Sequence, residues 1–227
     1  MYSLVVRRPT VINDGSEPMR TEHCYDAYEV VSALQKCIRR GMEEDALYWA
    51  YELAKSPNKN HYSWLWQRLK IIASEDIGPA NFAMPILIDV LFRNWQKKKN
   101  IDLWYVNAVI ALVRSPKSRI VDNAINMMLS KDALGKWEDK PIPEECVVEA
   151  NLERAKEPSN FDRDIPGFAI DMHVSAGKKY GLGKRDFYKT GAKLVNCTLP
   201  DPYEARAIAG DLELERLAEK EKENRRK

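Results

Sequence analysis

The sequence predicts an all-α fold: a bundle of amphipathic helices, a Gly- and Pro-richer appendage, and a long charged helix at the end. Three observations carry this. Between about residues 22 and 131, apolar residues recur at spacings of three and four, the period of a helix with one buried face. Short connections join these segments, which favours antiparallel neighbours in a bundle. No run in the region alternates with the period of a strand over a useful length.

The elements follow in order. Residues 1–20 read as irregular, punctuated by Pro9, Gly15 and Pro18, with at most one short strand from Leu4 to Val6. A first helix over 22–40 aligns Ala27, Val30, Val31, Leu34 and Ile38. Arg39 and Arg40 complement its dipole, and Gly41 suits the left-handed residue beyond its end. A second, 43–55, carries Ala46, Leu47, Ala50, Leu53 and Ala54, and Ser56-Pro57-Asn58 breaks it. Asn60 is expected to cap a third helix bearing Trp64, Leu65, Leu69 and Ile72, which ends at Gly78-Pro79. The fourth, about 81–99, carries Ile86, Leu87, Val90, Leu91 and Trp95 and closes on Lys97-Lys98-Lys99. The fifth uses Leu103, Val106, Val109, Ile110 and Val113. Ser115 and Pro116 read as N-cap and first residue of a sixth, 116–131, with Ile120, Ala124, Met127 and Met128 inward.

The character changes after Leu134. Residues 135–200 hold much of the Gly and Pro, and shorter helices are expected at about 143–156 and 185–195. Asp201-Pro202-Tyr203-Glu204 then opens a last helix to Lys227, with an acidic cap, a Pro and a Glu in the order of a capping box. Only Leu212, Leu214 and Leu217 offer it an apolar face, so it reads as a protruding helix, either solvated or partner-binding. The division is 1–20 irregular, 21–134 helical domain, 135–200 basic extension packed on it, and 201–227 charged helix.

Composition narrows the function. In 227 residues, 44% hydrophobic and 31% charged with six Trp and ten Tyr, there is material for a core, which excludes a disordered chain. A formal net charge of +2 does not indicate a nucleic-acid binder, so any such reading must rest on a local patch. Cys24, Cys37, Cys146 and Cys197 lie far apart without zinc spacing, and His23 and His61 are isolated, so reduced thiols and no metal site are expected. The start carries no signal-peptide core and no window reaches the roughly 18 apolar residues of a membrane helix. A soluble, cytoplasmic protein without a cofactor is the expectation.

Three stretches carry a resemblance. Ser32-Ala33-Leu34-Gln35-Lys36-Cys37-Ile38-Arg39 is followed by Asp45-Ala46-Leu47-Tyr48-Trp49, then by Ile72-Ala73-Ser74-Glu75-Asp76-Ile77-Gly78, then by Ser115-Pro116-Lys117-Ser118. In this order they resemble the C-terminal region of the replication-associated recombination protein A (RarA, also MgsA) family of AAA+ ATPases, over roughly residues 22–130. The resemblance implies a helical domain similar to the collar of clamp-loader subunits. It also implies tetramer formation and association with replication forks, single-strand DNA-binding protein and DNA ends. The ATPase motor is missing from the resemblance. No G-x-x-x-x-G-K-[ST] occurs, and the nearest string, Gly181-Leu182-Gly183-Lys184-Arg185, ends in Arg and follows no strand. What is implied is assembly, or docking on a separate AAA+ partner, and no ATP hydrolysis.

Three features break local rules. Glu75 and Asp76 sit near a helix C-terminus, where the dipole disfavours anions, so they are expected to pair with cations of a neighbouring helix, Lys36 and Arg39, and fix how the first and third helices dock. From 165 to 200, six cations (Lys178, Lys179, Lys184, Arg185, Lys189, Lys193) against Asp171 and Asp186 leave a local +4 among glycines. Such a segment suits DNA phosphate contact through Lys178, Lys179, Lys184 and Arg185, with His173 as an added donor, or is a solvated basic turn. Trp64 and Trp66 cannot face the same way on one helix, so one is a candidate for a subunit interface. No catalytic residue is assigned. The favoured reading is a non-catalytic replication or repair protein that oligomerises or docks on an AAA+ partner and contacts DNA. The alternatives are a small enzyme acting on a phosphorylated or nucleic-acid substrate around His173, and a partner-binding adaptor.

Overall fold

The computed structural model describes residues 20–98, 101–134, 165–195, 197, 201 and 204–226, and these are all-α, with two isolated bridge pairs and no strand among them. At its centre lies α1 (Ala27–Arg40), of which only Tyr28 is exposed. An amphipathic pattern predicts one buried face, but this helix is enclosed on both. Its apolar side packs on α2 (Glu43–Ala54), α3 (Lys59–Ile72) and α5 (Leu103–Arg114). Its polar side is covered by residues 165–195.

The boundaries follow from local capping. The Asp26 carboxylate accepts from the Tyr28 N–H at 2.8 Å, so α1 begins at Ala27, while Glu22 and His23 lie in a preceding turn. Gly41 takes φ +71°, donates to the Ile38 carbonyl, and ends the helix as the sequence suggests. Asn58, not Asn60, caps α3 by accepting from the Asn60 N–H at 3.0 Å.

After Ile72 the chain widens into a π turn, Ala73–Ile77. Ile72 and Ile77 are five residues apart, a spacing that fits a π turn, and both are fully buried. A short turn, Gly78–Ala80, leads to α4 (Met84–Lys97), with Pro85 in its first turn.

The sixth helix, α6 (Ile120–Leu134), starts four residues later than the Ser115-Pro116 signal predicts. Residues before a proline favour extended backbone, and Ser115 is extended at ψ 148°. The chain stays irregular because Lys117 turns inward. Its ammonium donates to the Val113 and Ser115 carbonyls at 2.8 and 2.5 Å, satisfying the end of α5, and the Ser118 N–H bonds the Asp76 carbonyl at 2.8 Å. Met128, expected inward, is 64% exposed, and Asn123 takes a buried place on that helix.

The main core joins Leu34, Ile38, Trp49, Leu53, Trp66 and Leu112, and Phe168 and Ala169 of the appendage belong to the same cluster. The appendage forms α7 (Ser175–Lys179), not foreseen from sequence, and α8 (Lys184–Asp186), which opens into a second π turn, Phe187–Gly191. The expected helix over 185–195 is thus shorter and wider. The expected helix over 143–156 lies outside the described residues, as do residues 1–19.

The last helix, α9 (Glu204–Arg226), packs on α6 and α8. Its buried residues are Ala207, Ile208, Ala209, Gly210 and Asp211, whereas Leu214 and Leu217 are exposed. The seat is made by Phe187, Tyr188 and Ala192. Beyond Asp211 the helix is mostly exposed. Among the described residues, no helix is long and apolar enough to cross a membrane.

Candidate functional site

Ser32, Gln35, Lys36 and Arg39 recur at three and four along α1 and form a polar stripe. All four are buried, so each must find a partner. Arg39 meets three. Its Nε lies 2.6 Å from Asp76 Oδ1, its Nη2 2.7 Å from Glu75 Oε1, and its Nη1 donates to the Gly191 carbonyl at 2.7 Å. Gln35 donates to both carboxylates, at 3.0 and 2.8 Å, and accepts from Arg68. Burial alone would lower the Arg39 pKa, but Asp76 and Glu75 outweigh it and raise it.

Arg39 therefore meets both acids of the π turn, whereas Lys36 does not. Lys36 sits on the far side of the stripe, toward the appendage. Its ammonium donates to Ser32 Oγ at 2.6 Å and lies 2.7 Å from Asp171 Oδ2, an ion pair outside hydrogen-bond alignment. Burial lowers the Lys36 pKa to about 8 against the pull of Asp171. Burial also opposes the Asp171 charge, but His173 and Lys36 hold this carboxyl well below the usual range.

The network ties three elements into one unit. Ser32 Oγ donates to the Ala169 carbonyl, Arg40 to the Thr190 carbonyl, and the Val195 N–H to the Arg39 carbonyl. The Arg40 guanidinium also lies 4.0 Å from the centre of the Phe168 ring. Arg39 and Arg40 were expected to complement the helix dipole, and Arg39 also to pair with the acids of the neighbouring helix. They are buried because the appendage brings carbonyls to them.

Two glycines permit this approach. A Cβ on Gly177 would sit 1.8 Å from the Asp171 carbonyl oxygen. One on Gly191 would sit 2.6 Å from the Phe187 ring and 2.8 Å from Asp171 Oδ2. Gly177 and Gly191 are packing residues, not points of access for a phosphate.

On this base stands the basic turn. Lys178, Lys179, Arg185 and Lys189 are exposed. Gly181 makes the turn at φ +70° in open space. Lys184 is engaged internally: its N–H donates to Glu215 Oε1 at 2.7 Å, and its ammonium lies 3.1 Å from Asp211 Oδ2. Tyr188 also donates to Asp211, at 2.5 Å, and the Gly183 N–H donates to Asp186. The Gly183 and Lys184 amides are thus occupied by carboxylates. Asp211 and Glu215 cancel two of the local four charges. His173 is braced too. Its Nδ1 lies 3.1 Å from Asp171 Oδ1, and its ring meets Phe187 edge-on at 4.9 Å.

The two tryptophans separate as their spacing requires. Trp66 is buried in the core, while Trp64 is half-buried beside Tyr28 and His61. Among the described residues, no group of three or more His, Cys, Asp or Glu is placed to hold a metal ion.

The Asp171–His173 contact is the one expected of a solvated basic turn, whereas the Lys36–Asp171 pair and the roles of Gln35, Lys117 and the α9 acids were not foreseen. The stripe Ser32-Gln35-Lys36-Arg39 was a legible sign that α1 has a second face needing cover. Nothing in its neighbourhood named the partners. No family model matches the chain, and no curated protein matches it.

Proposed function

We propose that this protein is a non-catalytic assembly module of DNA replication or repair. In this reading it contacts a nucleic-acid backbone through Lys178, Lys179, Arg185 and Lys189, and self-associates or docks on an AAA+ ATPase partner. The observation that carries it is a cluster of exposed cations mounted on a segment braced by the buried ions Lys36, Arg39 and Asp171. A braced cation surface loses little side-chain and loop entropy beyond its own lysines when it meets a phosphate. Lys184 and His173 serve as its supports. The resemblance of residues 22–130 to the replication-associated recombination protein A family adds the setting.

Self-association draws support from an exposed apolar face. Phe82, Ile86 and Val90 of the α4 region are 77%, 68% and 47% exposed, and Val121, Ile125 and Leu129 of α6 are 38%, 50% and 72% exposed. Val121 lies beside Gly78 of the turn that precedes α4, 3.4 Å from its Cβ position. Large exposed apolar surfaces mark association sites. Light scattering over a concentration range is expected to give a tetramer. A monomer at all concentrations would leave docking on a partner as the role of this face.

DNA contact is tested by titrating labelled single-stranded and duplex oligonucleotides at several salt concentrations. Affinity should fall with salt, with a slope of about −0.9 per duplex phosphate contacted. Lys178→Glu combined with Lys179→Glu should flatten that slope by about 2 and weaken all sequences alike. Salt-independent binding, or an unchanged slope in the double variant, would refute the basic turn as the contact.

A further inference from the structure

A concave site lies between α3 and α4, built from residues the basic turn does not involve. Its volume is about 460 Å³, within the range of roughly 300 to 1,000 Å³ typical of small-molecule sites. Spacing explains its lining. Ser63, Gln67 and Lys70 follow one another at four and three on α3, and Phe92, Trp95 and Gln96 lie on the matching face of α4.

The floor is aromatic. Phe92 and Trp95 are nearly parallel, 27° apart with centres 5.8 Å from each other, and Trp66 tilts beneath them at 5.6 and 5.8 Å. Trp95 already takes one flat partner, Tyr62, at 4.9 Å and 9°. Both aromatics of α4 remain half-buried and line the opening. The rim is polar, with the exposed amides Gln67 and Gln96 and the Ser63 hydroxyl.

Charge selects among ligands. Lys70 is the one charged residue in the lining, 3.7 Å from the centre of the Phe92 ring and 3.3 Å from Asp89. A cationic guest is disfavoured, because Lys70 already holds the π face and would repel it. An aliphatic guest would leave the amides and hydroxyl of the rim without partners. A flat heteroaromatic ring bearing an anion answers every group: faces for stacking, mixed donors and acceptors for the amides, and a phosphate for Lys70.

We propose that this groove binds one nucleotide: Lys70 leaves the Phe92 face for the phosphate, the base takes its place against Phe92 and Trp95, and its edge meets Gln67 and Gln96. The nucleotide is either free or one unit of a single strand. This does not depend on the basic turn.

The test follows the tryptophan indole N–H resonances of the full chain by nitrogen-15 NMR, with Trp66→Phe and Trp95→Phe providing assignments. Adenosine monophosphate, adenosine, a short single-stranded oligonucleotide and a proline-rich decapeptide are titrated separately. The Trp66 and Trp95 signals should shift saturably with adenosine monophosphate, the oligonucleotide, or both, and the stronger of the two identifies the source. Gln67→Ala with Gln96→Ala, both exposed and harmless to the fold, should weaken binding by about fivefold or more. Lys70→Gln should weaken adenosine monophosphate but not adenosine. The same shifts should persist when Lys178→Glu and Lys179→Glu are present, which separates this site from the basic turn. No saturable shift with either phosphate-bearing probe, a response to the decapeptide alone, or affinities unchanged in the glutamine variant would overturn the proposal.

Discussion

Gly177→Ala is expected to destabilise the protein by about 3 kcal/mol or more, at the upper end of what overpacking costs. The added Cβ would lie 1.8 Å from the Asp171 carbonyl oxygen and 2.3 Å from its carbon, both backbone atoms. That backbone has little room to retreat. Asp171 is paired to Lys36 and His173, and its carbonyl accepts from the Val174 N–H at 3.2 Å. Gly181→Ala is the internal comparison. Its φ of +70° costs a side chain about 1 to 2 kcal/mol, but open space surrounds the position. Urea denaturation should therefore place Gly177→Ala well below Gly181→Ala. Equal midpoints would mean that the turn over 171–177 is packed otherwise.

The Arg39–Asp76 pair should give the second large effect. Arg39→Met or Asp76→Ala alone is expected to cost about 3 to 5 kcal/mol, because each leaves a buried charge without its main partner. The side chains are 3% and 0% exposed, so water cannot stand in for the lost group. Combining the two should cost less than the sum, with a coupling of about 1 kcal/mol or more in a double-mutant cycle. Lys36 supplies the contrast. Its cycle with Asp76 should be smaller than its cycle with Asp171, since its ammonium lies beside Asp171. Additivity between Arg39 and Asp76 within about 0.5 kcal/mol would contradict the described network.

Much of the first five helices was legible because their pattern is local. The stripe Ala27, Val30, Val31, Leu34 and Ile38 is buried where its period places it, and the stop at Gly41 needs only a left-handed glycine. The start of α6 was misplaced for a reason beyond the local signal. Ser115-Pro116 carries a good helix opening, but the Ser118 N–H bonds the distant Asp76 carbonyl and Lys117 forms a bridge with Cys197, contacts that hold the chain extended. On α9, Leu212 of the three expected leucines packs against Phe187 and Tyr188 beside Ile208 and Ala209, whereas Leu214 and Leu217 are exposed.

For the candidate sites, sequence alone named the cations and the odd acids but assigned their work unevenly. Arg39 meets Glu75 and Asp76, while Lys36 turns to Asp171 and Lys184 to Asp211. The aromatic groove escaped notice because Trp66, Phe92 and Trp95 carry the spacing of ordinary core residues.

By itself the sequence determined the all-α class, most helix limits and the identity of the charged residues, since helical period, caps and glycine stops act within a few residues. Only the tertiary structure decided which charges are buried, which glycines are packed and which cations remain exposed. Those outcomes depend on groups brought together across the chain, such as Arg39 and the Gly191 carbonyl, 152 residues apart. A buried ion takes whatever partner lies within a few ångströms, and nothing in its local sequence records which one that is.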